Sequence, residues 1–287
     1  MQVSFISIPY DLGRFASGMG RGPSSILDSF FTDQLRKAGH VVDTQTIVCV
    51  DHESLTDLQL TFKLNSLLAQ AVTEARARRF FPVILAGNCI TTVGTYSGLH
   101  DKRIGVLWLD AHGDFNTPET TQTGYIDGMA LSAACGRCWK ALIASNQSYT
   151  AIDEERVVLL GARDIDPAEA NELKGSRVSV VSVDNLRQNS WRIPELHRSR
   201  VKDLYIHFDA DVLDISMGRA NRFASANGLL RDDLKRIFSL VAEDFRLKAI
   251  ALTAYNPEFD TEGTVRKELR RIILSVLESA TARKQMD

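Results

Sequence analysis

Residues 107–135 read LWLDAHGDFNTPETTQTGYIDGMALSAAC, and the parsing of this stretch decides both the fold and the chemistry expected of the chain. The apolar run 104–109 that leads into it has the continuous hydrophobicity of a strand buried on both faces, as parallel sheets require. It breaks at Asp110, Ala111, His112, Gly113 and Asp114, which set two carboxylates and an imidazole at alternate positions. At a strand-to-loop break, such spacing lets all three heads converge. Hard oxygens with an imidazole suit Mn, Fe, Co or Zn better than Ca or a thiolate-loving ion. Taken alone, the pattern is also compatible with an ordinary polar loop.

A second run separates these alternatives. Residues 203–211, DLYIHFDAD, are again strand-like and again finish in alternate carboxylates, Asp209 and Asp211. Two buried strands ending in bare carboxylates need a counter-charge, because unpaired buried anions are strongly disfavoured. In open α/β sheets, ligands collect at the carboxyl ends of strands. A pair of divalent cations bridged by Asp114 and Asp209 would neutralise the set and activate a water.

Working outward, the chain alternates strands and helices. Strands are expected at 3–8, 41–48, 82–86, 157–160, 178–183, 204–208 and 249–253. A helix opens at Gly22-Pro23 and runs to about Ala38, and a helix with a Thr-rich start follows at Thr91-Thr92. A long helix over 58–78 aligns Leu60, Leu64, Leu67, Leu68, Ala71 and Ala75 on one face, and a last one covers about 265–282. Repeated βα units predict a mainly parallel sheet with helices on both faces, an α/β fold in three α/β/α layers. The 287 residues, 44% hydrophobic and carrying a net charge of -2, fit one domain over 1–287 with no linker and no repeat. No basic stripe suggests nucleic acid, and Arg76, Arg78 and Arg79 suit a helix C-terminus. No apolar run reaches the roughly 20 residues that span a bilayer. The N-terminus lacks a signal-peptide pattern, and four cysteines then suggest a reducing, cytoplasmic setting.

The strings DAHGDFNTP and HFDADVLD, with MGRGP at 19–23 and YNPEFD at 255–260, resemble the ureohydrolases, the arginase, agmatinase and formimidoylglutamase group. The resemblance covers nearly the whole chain, and it implies the three-layer fold, two Mn2+ ions and assembly as homotrimers or hexamers. It also implies cleavage of a guanidino C–N bond in a small-molecule substrate. Asp114 and Asp209 would be shared by both ions, Cys89 and Asp211 completing one and Asp110 and His112 the other. Asp114 would relay protons, with Asp127 as a helper.

Three positions depart from the group. Cys89 stands where members usually carry a metal-ligating His, and a thiolate is a softer ligand. Asp127 replaces a His thought to shuttle protons; a carboxylate can take that role if burial raises its pKa, and otherwise it is a solvated loop residue. Ala254 replaces the Glu that pairs with the guanidinium, leaving Glu258 and Asp260 as remaining candidates. Against these losses, Asn116, Thr121 and Thr123 match the arginase loop that holds an amino acid's α-carboxylate, and Asp166 matches the receiver of the α-ammonium.

Within the group, DFNTPETT, the Cys and the ARDID segment most resemble the Nω-hydroxy-L-arginine amidinohydrolase branch of cycloserine biosynthesis. The expected reaction is metal-assisted hydrolysis of arginine or Nω-hydroxyarginine to ornithine plus urea or hydroxyurea. The alternatives are a peptidyl-arginine or agmatine-type amidinohydrolase, or a catalytically inactive assembly subunit. Cys135-Gly-Arg-Cys138 lacks the second half-site of a structural zinc and is expected within the helix after the site loop. His40, His52, His100 and His197 read as surface residues, and His207 as buried beside the second strand.

Overall fold

The computed structural model describes residues 1–50, 53–144, 149–188 and 201–284; His52 and His197 lie outside them. Ten strands are named in chain order: β1 (Gln2–Ile8), β2 (Tyr10–Asp11), β3 (Arg14–Phe15), β4 (Val41–Thr46), β5 (Phe81–Ala86), β6 (Gly105–Leu109), β7 (Val157–Leu160), β8 (Ser179–Val181), β9 (Asp203–Asp209) and β10 (Arg246–Thr253). Eight form one sheet in the order β4-β1-β5-β10-β9-β6-β7-β8, with parallel neighbours throughout. A short antiparallel ribbon, β2–β3, was not foreseen. It folds the N-terminal segment over the end of β5, where Gly87 is obligatory because a Cβ there would sit 2.1 Å from the Tyr10 carbonyl oxygen.

Alternation along the strands gives each face its own apolar layer. Phe5, Leu107, Leu109, Ile206, Phe208, Ile250 and Leu252 pack against Phe31, Ile237, Leu269 and Ile273 from helices on one side. Ile6, Ile84, Val106, Trp108, Tyr205 and Ala251 pack against Leu60, Leu64, Leu68, Val93 and Tyr96 on the other. Three layers result, as the βα alternation predicts.

The helix Asp57–Ala77 starts at a capping box between Thr56 and Gln59 and buries Leu60, Leu64, Leu68, Ala71 and Ala75; Leu67 is half-buried at the margin. The single helix expected over 22–38 is two, Gly22–Ile26 and Ser29–Lys37. Asp28 starts the second by accepting a 2.8 Å hydrogen bond from the Phe31 amide, an N-cap that outcompetes continuation. The expected strand at 178–183 is trimmed to Ser179–Val181, since Val183 begins a helix. Cys135 and Cys138 lie just past the helix Ala130–Ala134 rather than within it, and the four cysteines are free. His40 is half-buried, His100 is exposed and His207 is fully buried.

β9 and β10 are inserted between β5 and β6, so chain direction across the sheet reverses there. That switch point is where strand ends part to leave a crevice. The loops after β5, β6, β7, β9 and β10 all open into it.

Candidate metal centre and active site

The register of β6 against β9 builds the floor of the site. Leu109 pairs with Phe208, so Asp110 emerges beside Asp209, and two residues further His112 emerges beside Asp211. Asp209 accepts from the Asp211 amide at 2.8 Å, and Asp110 from the His112 amide at 2.8 Å. These Asx turns make each carboxylate hold the next polar residue in place. Asp114 sits at φ 50°, a left-handed conformation that Asp tolerates better than most residues. Its carbonyl accepts from the Leu131 and Ser132 amides, which fixes that turn.

The cluster has two halves. On one, His112 Nδ1 lies 3.4 Å from Asp110 and 3.5 Å from Asp211, and Asn221 donates to Asp211 at 3.1 Å. On the other, the Cys89 thiol donates to Asp209 at 2.9 Å and lies 3.1 Å from the Thr253 hydroxyl. Ligand atoms of Cys89, Asp110 and His207 fall within 4.8 Å of one another, as do those of Asp110, His112 and Asp211. Asp110 therefore stands between the halves. This corrects the pairing expected from the sequence: Asp211 belongs with His112 and not with Cys89, because strand register carries it past Asp209 to the far side.

Electrostatics differ between the halves. Burial raises Asp211, but the His112 charge and the hydrogen bonds from His112, Asp209 and Asn221 outweigh it and bring the group down to about 2. Burial alone would lower His112; Asp211 and Asp110 instead hold it well above its ordinary value. Opposite charges thus sit side by side. Around Cys89 they do not. Burial, reinforced by neighbouring carboxylates, pushes Asp114, Asp209 and the Cys89 thiol upward. Burial holds His207 down near 3, a neutral imidazole. Asp114 Oδ2 is buried with no hydrogen-bond partner among the described residues.

Asp127 is no solvated loop residue. It is 5% exposed, accepts from the Ile90 amide at 2.8 Å and from Asn88 Nδ2 at 2.9 Å, and so clasps the Cys89 loop. Burial raises its carboxyl to about 7. That value suits proton transfer near neutral pH.

Above the floor lies a cavity of about 280 Å³ lined by Cys89, His112, Asp114, Asn116, Asp127, Asp164, Asp166, Glu169, Asp209, Asp211 and Ala254, with Met19, Tyr125 and Phe223 as apolar walls. Asn116 donates to Asp166 at 3.2 Å, and Asp166 also caps the helix Pro167–Lys174. Thr121 and Thr123 do not reach the cavity. Their hydroxyls accept from the Gly124 amide at 3.1 Å and the Tyr125 amide at 3.2 Å, closing local turns. Neither candidate replaces the missing Glu: Glu258 is paired with Arg21 at the surface, and Asp260 accepts from the Tyr255 hydroxyl and the Thr264 and Arg266 amides. Ala254 itself lies at φ 57°, its carbonyl held by Asn221 at 2.8 Å.

Sequence reasoning missed Asp164, Glu169, Tyr125, Phe223 and Met19 as lining residues. Glu169 had a visible signal, standing three residues after the cap Asp166. Buried, it accepts from the Phe115 amide at 2.8 Å, and burial raises it to about 7. Phe223 had none, being brought over His112 from a loop distant in sequence, with ring centres 6.2 Å apart.

A sequence model described as "Arginase family" matches residues 1–277. An arginase of Bacillus subtilis is 32% identical over 224 residues, covering 74% of this chain and 76% of that protein. An arginase of Bacillus caldovelox is 28% identical over 274 residues, 90% and 92% of the two chains. The solved arginase of Bacillus cereus superposes with a TM-score of 0.85 at 25% identity over 96% of this chain and 97% of the other. An agmatine ureohydrolase of Thermoplasma volcanium shares the fold at a TM-score of 0.74 and 19% identity, covering 99% of this chain and 91% of the other.

Proposed function

This chain belongs to the arginase family and is a hydrolase of linear amidine C–N bonds, and from that premise we propose that its substrate is an arginine-like amino acid, Nω-hydroxyarginine in preference to arginine. The products would be ornithine and hydroxyurea. The carrying observation is Ala254: the backbone position is retained in the cavity wall while the carboxylate that would pair with a guanidinium is gone, and neither Glu258 nor Asp260 substitutes. A hydroxyguanidine is less basic than a guanidine and needs that ion pair less.

The donor set fits a pair of divalent cations. Five buried Asp carboxylates share one small volume with a single imidazolium, and the orphaned Asp114 Oδ2 has the character of an oxygen meant for an ion. Cys89, Asp110, His112, Asp114, Asp209 and Asp211 would hold it, with Mn2+ the choice on family resemblance. Bound there, the ions would supply charge neutralisation and a water made nucleophilic near neutral pH.

The chain's own residues do the rest. Asp166 and Asn116 take the α-ammonium and α-carboxylate end, with Asp164 and Glu169 adding negative charge beside the ammonium. Tyr125, Phe223 and Met19 exclude water around the aliphatic stem. Asp127, clasped by Ile90 and Asn88, accepts or returns a proton at its carboxylate as the amine leaves. Four free cysteines are compatible with a cytoplasmic setting, and no helix among the described residues is long and apolar enough to cross a membrane. A dead scaffold would gain nothing from so costly a set of buried acids.

The test is metal content on protein purified without chelator, joined to assays of hydroxyarginine, arginine and agmatine that separate hydroxyurea from urea. Two metals per chain with hydroxyarginine preferred is the expected result. Agmatine as the best substrate, or no turnover of any compound after metal loading, would sink it.

A further inference from the structure

A buried imidazole, that of His207, lies close to the Cys89 thiol. We propose that His207 is a direct metal ligand, so that one metal site is formed by Cys89, Asp110 and His207 and takes a borderline-soft divalent ion, Zn2+ or Co2+, in preference to Mn2+. The inference rests on the binuclear reading above and adds to it a ligand from inside the sheet.

Strand alternation places the residue. Along β9, Tyr205, His207 and Asp209 share one face, and on adjacent β6 Trp108 pairs with His207 in register. Trp108 stacks on the His207 ring at 3.7 Å between centres, tilted by 18°, and donates its Nε1 proton to Asp110 at 3.0 Å. The indole thus fixes both the imidazole plane and one Asp110 oxygen. Fully buried, His207 places Nδ1 2.7 Å from the Thr92 hydroxyl. With the proton on Nδ1 donated to Thr92, Nε2 is left as an acceptor 3.4 Å from the Thr253 hydroxyl, itself 3.1 Å from Cys89 Sγ. An outer hydrogen bond that sets the tautomer and leaves the second nitrogen free is how protein imidazoles are prepared for metals.

Two observations support the assignment. A buried thiol, a buried carboxylate and a buried imidazole lie within 4.8 Å of one another. The unpartnered Asp114 Oδ2 lies in the same acidic cluster. Mixed sulfur, nitrogen and oxygen donors favour zinc and cobalt, whereas the oxygen-rich set around His112 and Asp211 accommodates manganese.

X-ray absorption of the wild-type chain loaded with Zn2+ reads the answer directly. Two imidazoles and one thiolate for every two zinc ions are expected. Two zinc ions with a single imidazole, that of His112, would overturn this proposal and leave the hydrolase reading standing; wild-type protein that binds no metal would overturn both. His207→Gln should retain one metal and hold the second roughly 100-fold or more weakly, beyond the usual cost of losing an outer-sphere partner, with its fold checked by circular dichroism. Co2+-loaded Cys89→Ser should lose a thiolate charge-transfer band that wild type displays. Full, tight occupancy of both sites in His207→Gln would refute the assignment.

Discussion

The two halves of the acidic floor solve the same problem differently. Around His112, protein charge answers protein charge: the imidazolium sits between Asp110 and Asp211 and holds Asp211 near 2. Around Cys89, the thiol, Asp114 and Asp209 are all pushed toward their protonated forms, and one carboxylate oxygen has no partner among the described residues. The first half sets opposite protein charges against each other; the second gathers acidic groups with no cation among them.

The largest effect should come from removing what the halves share. Asp110→Asn is expected to abolish binding of both metals and reduce turnover below detection, whereas Asp211→Asn should release only the ion beside His112. Elemental analysis of the two variants decides this. Equal stoichiometry in both would mean that Asp110 does not stand between the halves.

Next in size is the response to pH in metal-free protein, where Asp127 and Asp211 should act in opposite directions. Asp127, clasping the Cys89 loop, has a folded pKa of about 7 against an ordinary 3.8, so its contribution is fully present below about pH 4 and lost as pH rises toward 7. Asp114 and Asp209 act with the same sign. Asp211, lowered to about 2, stabilises above about pH 4 and loses that contribution as pH falls to 2. The melting temperature of chelated protein should therefore peak near pH 4 to 5 and decline toward 7, and metal loading should flatten the decline. A melting temperature that climbs steadily from pH 4 to 7 without metal would contradict the assigned protonation.

A third experiment places a carboxylate in the cavity wall at position 254. Ala254→Glu keeps the Cβ already present at φ 57° and should raise kcat/KM for arginine relative to hydroxyarginine by roughly 10- to 100-fold, the worth of a charge-assisted hydrogen bond. An unchanged ratio would detach specificity from this position. The smallest effect is expected outside either half. Thr123→Ala removes a hydroxyl that only closes a turn onto Tyr125, so KM should move by no more than about twofold. A tenfold rise would mean that the loop closes on substrate, as the family resemblance implied.

The sequence alone determined the parallel three-layer architecture, because continuous apolar strands and 3.6-residue helical faces are local signals that burial reinforces. It also carried the residue types of the acidic cluster, since buried carboxylates at strand ends have few reasons to exist. Asn116 and Asp166 were legible through motif order; Thr121 and Thr123 were read into the site although their hydroxyls close local turns. Only tertiary structure decided which acid faces which base. The register of β6 on β9 set Asp211 beside His112 and left Asp110 between the halves. The insertion of β9 and β10 next to β5 brought His207 under Cys89, 118 positions away along the chain. Local pattern fixes what a residue is able to ligate, but convergence depends on strand order and register, which emerge only when distant strands share one sheet.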